Sequence, residues 1–166
     1  MKRRLNAVVV AVIVCLGTPV LAGDDKETNW IDLERCAVCK HVGQHAELMS
    51  SVKCETHIID NGMLTVVTIP AEHKDTMHAV HAKMKETIEK LKSGEKMELC
   101  GFCKSYGALM EAGAQSQEIE TSFGMISLLT SDRPEVVEQI KEHAKRVVKE
   151  HERMDQAKAD DPVTRK

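Results

Sequence analysis

Aromatic side chains are scarce in this sequence: one Trp, one Tyr and two Phe in 166 residues. A chain so poor in rings lacks the stacking platforms on which single-stranded nucleic acid is held. Its formal charge of −3 lacks the basic surface that phosphate backbones need. No nucleic acid partner is therefore expected. Hydrolase and nucleotide motifs are missing as well, with no Gly-x-Ser-x-Gly, no phosphate-binding glycine loop and no His-Glu-x-x-His. That pattern points to binding rather than to a classical enzyme. The one extended apolar run, residues 5–16, falls short of the ~20 residues a membrane-spanning helix needs.

What that run does fit is a secretory signal. Lys2, Arg3 and Arg4 form a basic start, the apolar stretch follows, and the segment closes on Val20-Leu21-Ala22. Small or modest side chains at those positions place cleavage after Ala22 and the product in the periplasm or outside the cell. No stable membrane insertion is expected after cleavage. Cys15 leaves with the signal, because Val14 stands where lipidation wants a small residue. The remaining residues, 23–166, suit one domain with a modest core. Loss of the three basic residues takes the formal charge to −6.

Five cysteines stay in that mature part, Cys36, Cys39, Cys54, Cys100 and Cys103, an odd number that cannot pair completely within one chain. Four of them belong to an internal repeat. Cys36-Ala-Val-Cys39-Lys40 returns 64 residues later as Cys100-Gly-Phe-Cys103-Lys104, and Gly43 returns as Gly107. Gly62-Met63 returns 62 residues later as Gly124-Met125, each followed by an apolar, strand-like run, 64–69 and 126–129. Charged amphipathic segments follow both runs, 71–91 and 134–151. The same order of elements in both halves marks a duplication.

Each unit reads helix, hairpin, helix. Residues 36–52 have helical composition. Asn61-Gly62 between β-branched runs signals a hairpin. Pro70 precedes a helix with Met77, Val80, Met84, Ile88 and Leu91 on one stripe, and Val136, Ile140, Val147 and Val148 form the stripe of the second copy. A lone hairpin is marginal in water, so the two units are expected to combine. The expected fold is α+β: two tandem helix–β-hairpin–helix units forming a pseudo-twofold domain with a four-stranded antiparallel sheet covered by helices. The expected boundaries are 1–22 for the signal peptide, 23–35 for a linker, 36–92 and 93–154 for the two units, and 155–166 for a disordered tail.

Cys-x-x-Cys at a helix start places two sulfurs on one face about a turn apart. Gly43 and Gly107 lie close to that face, so the two first helices are expected to approach each other there and bring four thiols to one point. Cys36, Cys39, Cys100 and Cys103 would then hold one metal ion. Zinc suits four thiolates in a closed structural site, and copper as Cu(I) is the alternative. Lys40 and Lys104 would offset part of the negative charge. The function expected is metal handling, sensing or interaction.

Two short resemblances open other readings. Cys100-Gly-Phe-Cys103 resembles the active-site motif of thioredoxin-type oxidoreductases, which implies a periplasmic thiol–disulfide oxidoreductase using the Cys-x-x-Cys pairs as disulfides. The buried strand that such a fold runs into its motif has no counterpart in Glu95-Lys96-Met97-Glu98-Leu99. Cys-x-x-Cys-Lys resembles the haem attachment motif of a periplasmic nitrite reductase family, where lysine replaces the histidine ligand, and this implies haem as a further cofactor. The chain has no Cys-x-x-Cys-His.

Other residues tempt less. His41 and His45 have the i, i+4 spacing of a chelating pair but read as solvated helix residues, since Ser105 and Leu109 occupy the repeat positions. His73, His78 and His81 read as surface or core-edge residues, Met77 and Met84 as core filler. Cys54 aligns with Ser116 and reads as a buried free thiol.

Overall fold

A computed structural model describes residues 30–160. The signal segment, its cleavage point after Ala22, the linker as far as residue 29 and residues 161–166 lie outside the described residues.

The central strands form where β-branched and apolar side chains cluster after a glycine, and each pairs with a more polar seven-residue edge strand. β1 (Lys53–Ile59) and β2 (Gly62–Thr68) make one hairpin, β3 (Gln115–Thr121) and β4 (Gly124–Thr130) the other. The strand order is β1-β2-β4-β3, antiparallel throughout. The hairpins meet through β2 and β4, with Gly62 opposite Thr130, Thr65 opposite Ser127 and Thr68 opposite Gly124.

The turn of the first hairpin is Asp60-Asn61, so Gly62 is the first residue of β2 rather than part of the turn. Its φ of 156° and the 146° of Gly124 are open to glycine far more than to other residues. The reason lies across the ladder. A Cβ on Gly62 would collide with the Leu129 carbonyl oxygen, and one on Gly124 with that of Val67.

Five α-helices accompany the sheet among the described residues: α1 (Lys40–Gly43), α2 (Ala46–Ser51), α3 (Lys74–Lys92), α4 (Gly101–Glu111) and α5 (Pro134–Asp160). The architecture is therefore α+β. A single helix over 36–52 does not form. Residues 33–35 and 37–39 are turns, α1 has four residues, and His45 leaves the helical region at φ −119°, ψ 86°. Gly43, about 1 kcal/mol poorer than Ala in a helix, weakens so short a segment further. α5 runs on through Asp160, past the start of the expected tail.

Side chains alternate across a strand, and the helices occupy one face of the sheet. Met63 and Leu129 pack with Leu109 of α4 and Val136, Ile140 and Ala144 of α5. Val67 and Ile69 pack with Leu48 of α2 and Met77 and Val80 of α3. Val147 is buried on the same stripe of α5, whereas Ile88 of α3 is 37% exposed and lies off the core. No helix among the described residues is long and apolar enough to cross a membrane.

Glycine substitutions separate close approach from mere helix weakening. Gly124→Ala should destabilise the fold by on the order of 2 kcal/mol, through backbone strain and the Val67 carbonyl. Gly107, in mid-α4, has open space around its missing Cβ, so Gly107→Ala should stabilise by about 0.5–1 kcal/mol. Urea unfolding followed by circular dichroism measures both. Equal effects of the two changes would contradict the assigned role of Gly124.

Candidate metal centre

Cys36 and Cys39 lie in the turn before α1, with Cys39 at its N-cap position. Cys100 is the N-cap of α4, and Cys103 sits in its first turn. The four sulfurs lie within 4.8 Å of one another. Between the motifs the sulfurs lie 3.6 Å apart for Cys36–Cys103, 3.7 Å for Cys39–Cys100 and 3.4 Å for Cys39–Cys103. None of these is near the ~2.05 Å of a disulfide. Zinc–sulfur bonds of about 2.3 Å at tetrahedral angles set sulfur–sulfur edges of about 3.8 Å, so the spacing fits a tetrahedral four-sulfur set.

Glycine packing between helices does not cause this convergence. A Cβ on Gly43 would strike the Leu33 backbone, not α4, and Gly107 has no near neighbour. Backbone hydrogen bonds between the segments around the two motifs hold them together instead. Ala37 N–H donates to the Glu98 carbonyl at 2.9 Å, and Phe102 N–H donates to the Trp30 carbonyl at 3.0 Å. Gly101 lies so close to the Trp30 ring that a Cβ would collide with it. Asp32 shapes the approach to the first motif, its carboxylate accepting from the N–H groups of Glu34 and Arg35 at 3.0 and 2.8 Å.

Cys36, Cys39 and Cys100 are buried, and Cys103 is half-buried. Leu33, Val38, Met84, Leu91, Leu99 and Phe102 surround them. Electrostatics divide the thiols. Burial pushes Cys36 up, but the backbone N–H groups of Cys39, Cys100 and Val38 outweigh it and bring the thiol down to about 7. Cys39 is raised, first by its hydrogen bond to the Cys103 sulfur, then by burial and by the charges of Cys103 and Cys36. Cys100 is raised by burial against donation from Asp32 and Cys103 N–H. Four thiolates this close repel one another in an apolar shell, so either a cation or retained protons must balance them. Lys40 and Lys104 form no ion pair among the described residues, and Lys104 is exposed.

The other candidates fall elsewhere. His41 and His45 are not on one helix, because α1 ends at Gly43 and His45 caps α2. His41 is half-buried with Nε2 3.0 Å from Thr87 Oγ1, and His45 Nδ1 lies 3.0 Å from Glu47 Oε1. His73 is half-buried at the start of α3. His78 is exposed beside Glu120, at 3.3 Å. His81 is half-buried and its pKa lowered by burial. Met77 is core and Met84 half-buried. Cys54 is exposed on β1, not buried, because it lies on an edge strand.

Trp30 and His143 were not singled out by the sequence. Trp30, Phe102, Tyr106 and His143 form one cluster behind the second motif, with ring centroids 5.3–6.3 Å apart. Arg146 stacks over Trp30 at 5.6 Å. Three of the four aromatic residues thus gather at one place. Their sequence signal was position: Trp30 stands six residues before Cys36 and Phe102 within Cys-x-x-Cys.

This is an α+β protein with a four-cysteine cluster able to take a metal ion. Set against known proteins, the chain matches no family model, no curated protein and no solved structure.

His143 is 4% exposed, with Nδ1 2.8 Å from Ser105 Oγ and Nε2 buried without a hydrogen-bond partner. Burial lowers its pKa from 6.5 to about 4. A depressed folded-state pKa means that the unfolded chain takes up the proton first. The associated stability is present above pH 6.5 and is lost as pH falls toward 4. From pH 7.5 to 5 the loss should be on the order of 2 kcal/mol. Urea unfolding of the wild type and His143→Gln at both pH values tests this, both samples carrying the same chelator. An equal acid loss in the variant would remove His143 as the cause.

Proposed function

We propose that Cys36, Cys39, Cys100 and Cys103 hold one metal ion, zinc in the first place and Cu(I) as the alternative, in a protein exported by cleavage after Ala22. The observation that carries this reading is the sulfur–sulfur spacing of 3.4–3.7 Å between two motifs 64 residues apart. Thiols in separate disulfides would have no need of such mutual proximity. The donors form a closed set, three buried and one half-buried, and this favours a structural or sensing ion over a catalytic one, which keeps an open position. Backbone N–H groups aimed at Cys36 and Cys100 favour the thiolate forms a metal requires.

On this reading the duplication is functional. Each unit, 36–92 and 93–154, supplies half of the donor set, and the metal links two halves related by a pseudo-twofold axis. Support comes from β1/β3 and β2/β4, which each start 62 residues apart, and from the antiparallel pairing of β2 with β4 at the centre. Metal binding is then partly folding energy, and the protein acts in metal handling, sensing or interaction.

A periplasmic oxidoreductase is disfavoured, because redox exchange needs an accessible thiol pair, and both cysteines of the first motif are buried. Haem is disfavoured by the same convergence, which leaves no room for a separate macrocycle at each motif.

Elemental analysis of protein purified from an oxidising compartment without chelators, with a thiol count before and after denaturation, tests the reading. About one zinc or copper per chain is expected, falling below about a tenth in Cys36→Ser or Cys100→Ser. Stripping the ion should lower the melting temperature by about 10 °C or more. Metal-free protein with both pairs oxidised would overturn it. The N-terminal residue of the exported form tests the signal: Gly23 is expected, and retention of Met1 would refute cleavage.

A further inference from the structure

The face of the sheet turned away from the helices carries the more apolar centre. Toward the helices, the middle of the β2–β4 ladder presents Thr65 opposite Ser127, and Thr65 Oγ1 lies 3.2 Å from Thr56 Oγ1. One residue to either side, pointing the other way, stand Leu64 opposite Leu128 and Val66 opposite Ile126. Ile119 of β3, opposite Ile126, extends the band and is 39% exposed. An antiparallel sheet with one solvated face places polar residues there. At the centre of the β2–β4 ladder that pattern is reversed, and no helix among the described residues packs on this face.

We propose that this face is the interface of a homodimer, two copies stacking sheet on sheet. The occupant is set by the polar rim. Glu55 and His57 share the outward face of β1, 3.8 Å apart, with side chains 70% and 57% exposed. Their cross-strand neighbours are Val66 and Leu64. A twofold axis lying in the interface, perpendicular to the strands, exchanges these two rows. It sets Glu55 over His57 of the second copy, Val66 over Leu64, and Ile126 over Leu128. The face is thus complementary to itself at its centre and along β1, where each Glu55 carboxylate meets an imidazole able to donate to it, while at the β3 edge Ile119 meets Gln117.

Area sets the strength. Four strands about 4.8 Å apart and seven residues of about 3.4 Å give a plane of roughly 450 Å² per copy. The pair buries roughly 900 Å² before side-chain relief is counted, under the roughly 1,200 Å² of standard interfaces. The dimer is consequently a weak one that dissociates on dilution. It lies on the side of the sheet opposite the helices, so metal content is an independent readout.

Sedimentation equilibrium of the purified protein, with and without residues 1–22, tests the proposal at concentrations up to about 500 µM. A monomer–dimer equilibrium is expected for the wild type. Ile126→Lys should be monomeric throughout, with an unchanged circular dichroism spectrum. Glu55→Lys should raise the dissociation constant about tenfold, and the double change Glu55→Lys with His57→Glu should restore it to within about threefold. Should Ile126→Lys fail to fold, the exposed charge variants decide the matter, since no core packing depends on them. A wild type that stays monomeric, a folded Ile126→Lys that still dimerises, or a charge swap that restores nothing would each overturn the interface.

Discussion

The rest of the structure depends on the pairing of β2 with β4. Each hairpin alone is a two-stranded ribbon of marginal stability. Joined through seven paired positions, they make a sheet wide enough to support helices at both ends. The ladder closes to this distance because Gly62 and Gly124 stand at its opposite ends, each facing a partner carbonyl at a place where a Cβ would intrude. Core packing follows from that join. One cluster forms where α4 and α5 cover Met63 and Leu129, another where α2 and α3 cover Val67 and Ile69. Between them lies the polar pair Thr65 and Ser127.

The thiol cluster is a third centre and differs in kind. Five of its surrounding residues are aliphatic or Met, but its interior is sulfur. Dispersion and burial hold an aliphatic cluster together. Four converging thiols add a charge problem that burial makes worse. The backbone addresses part of it by directing N–H groups from Val38, Cys39 and Cys100 at one sulfur and from Asp32 and Cys103 at another. These donors come from both halves, so the geometry exists only once the halves have met. Backbone hydrogen bonds to the Trp30 and Glu98 carbonyls hold the two segments together, and the aromatic cluster behind Phe102 fixes the second motif from its far side.

Much of this was legible because duplication shows twice in a sequence. Cys-x-x-Cys-Lys and Gly-Met recurred at nearly the same interval, and both β-hairpins, α3 and α5 appear where the repeat placed them. Periodicity located Met77, Val80, Val136 and Ile140 in the core. It failed at 36–52, because helical composition says nothing of a thiol turn that consumes the start of the segment or of the break at His45. The glycine argument also failed in detail. Gly43 and Gly107 occupy equivalent repeat positions, yet one meets Leu33 and the other meets nothing. His143 could not be read at all. Its role comes from burial against Trp30, Phe102 and Tyr106, three residues far from it in the chain, and no local pattern announces such a site.

The small size of each core cluster explains why a third centre and an outer face would matter to this chain. With four aromatics in 166 residues, it lacks the large side chains that contribute most burial per residue. The core is divided by Thr65 and Ser127 into two parts, and apolar residues that would ordinarily join a single core point outward at Leu64, Val66, Ile126 and Leu128. Conformational entropy opposes folding in proportion to length, so a divided core must be supplemented. A cation among the four thiolates would supply that supplement within one chain. A second copy over the outward band would supply it between chains. On these readings the metal would join the two cysteine motifs, and the dimer would cover the bare side of the sheet. The same ladder that joins the hairpins thus turns four half-buried apolar side chains to the bare face of the sheet.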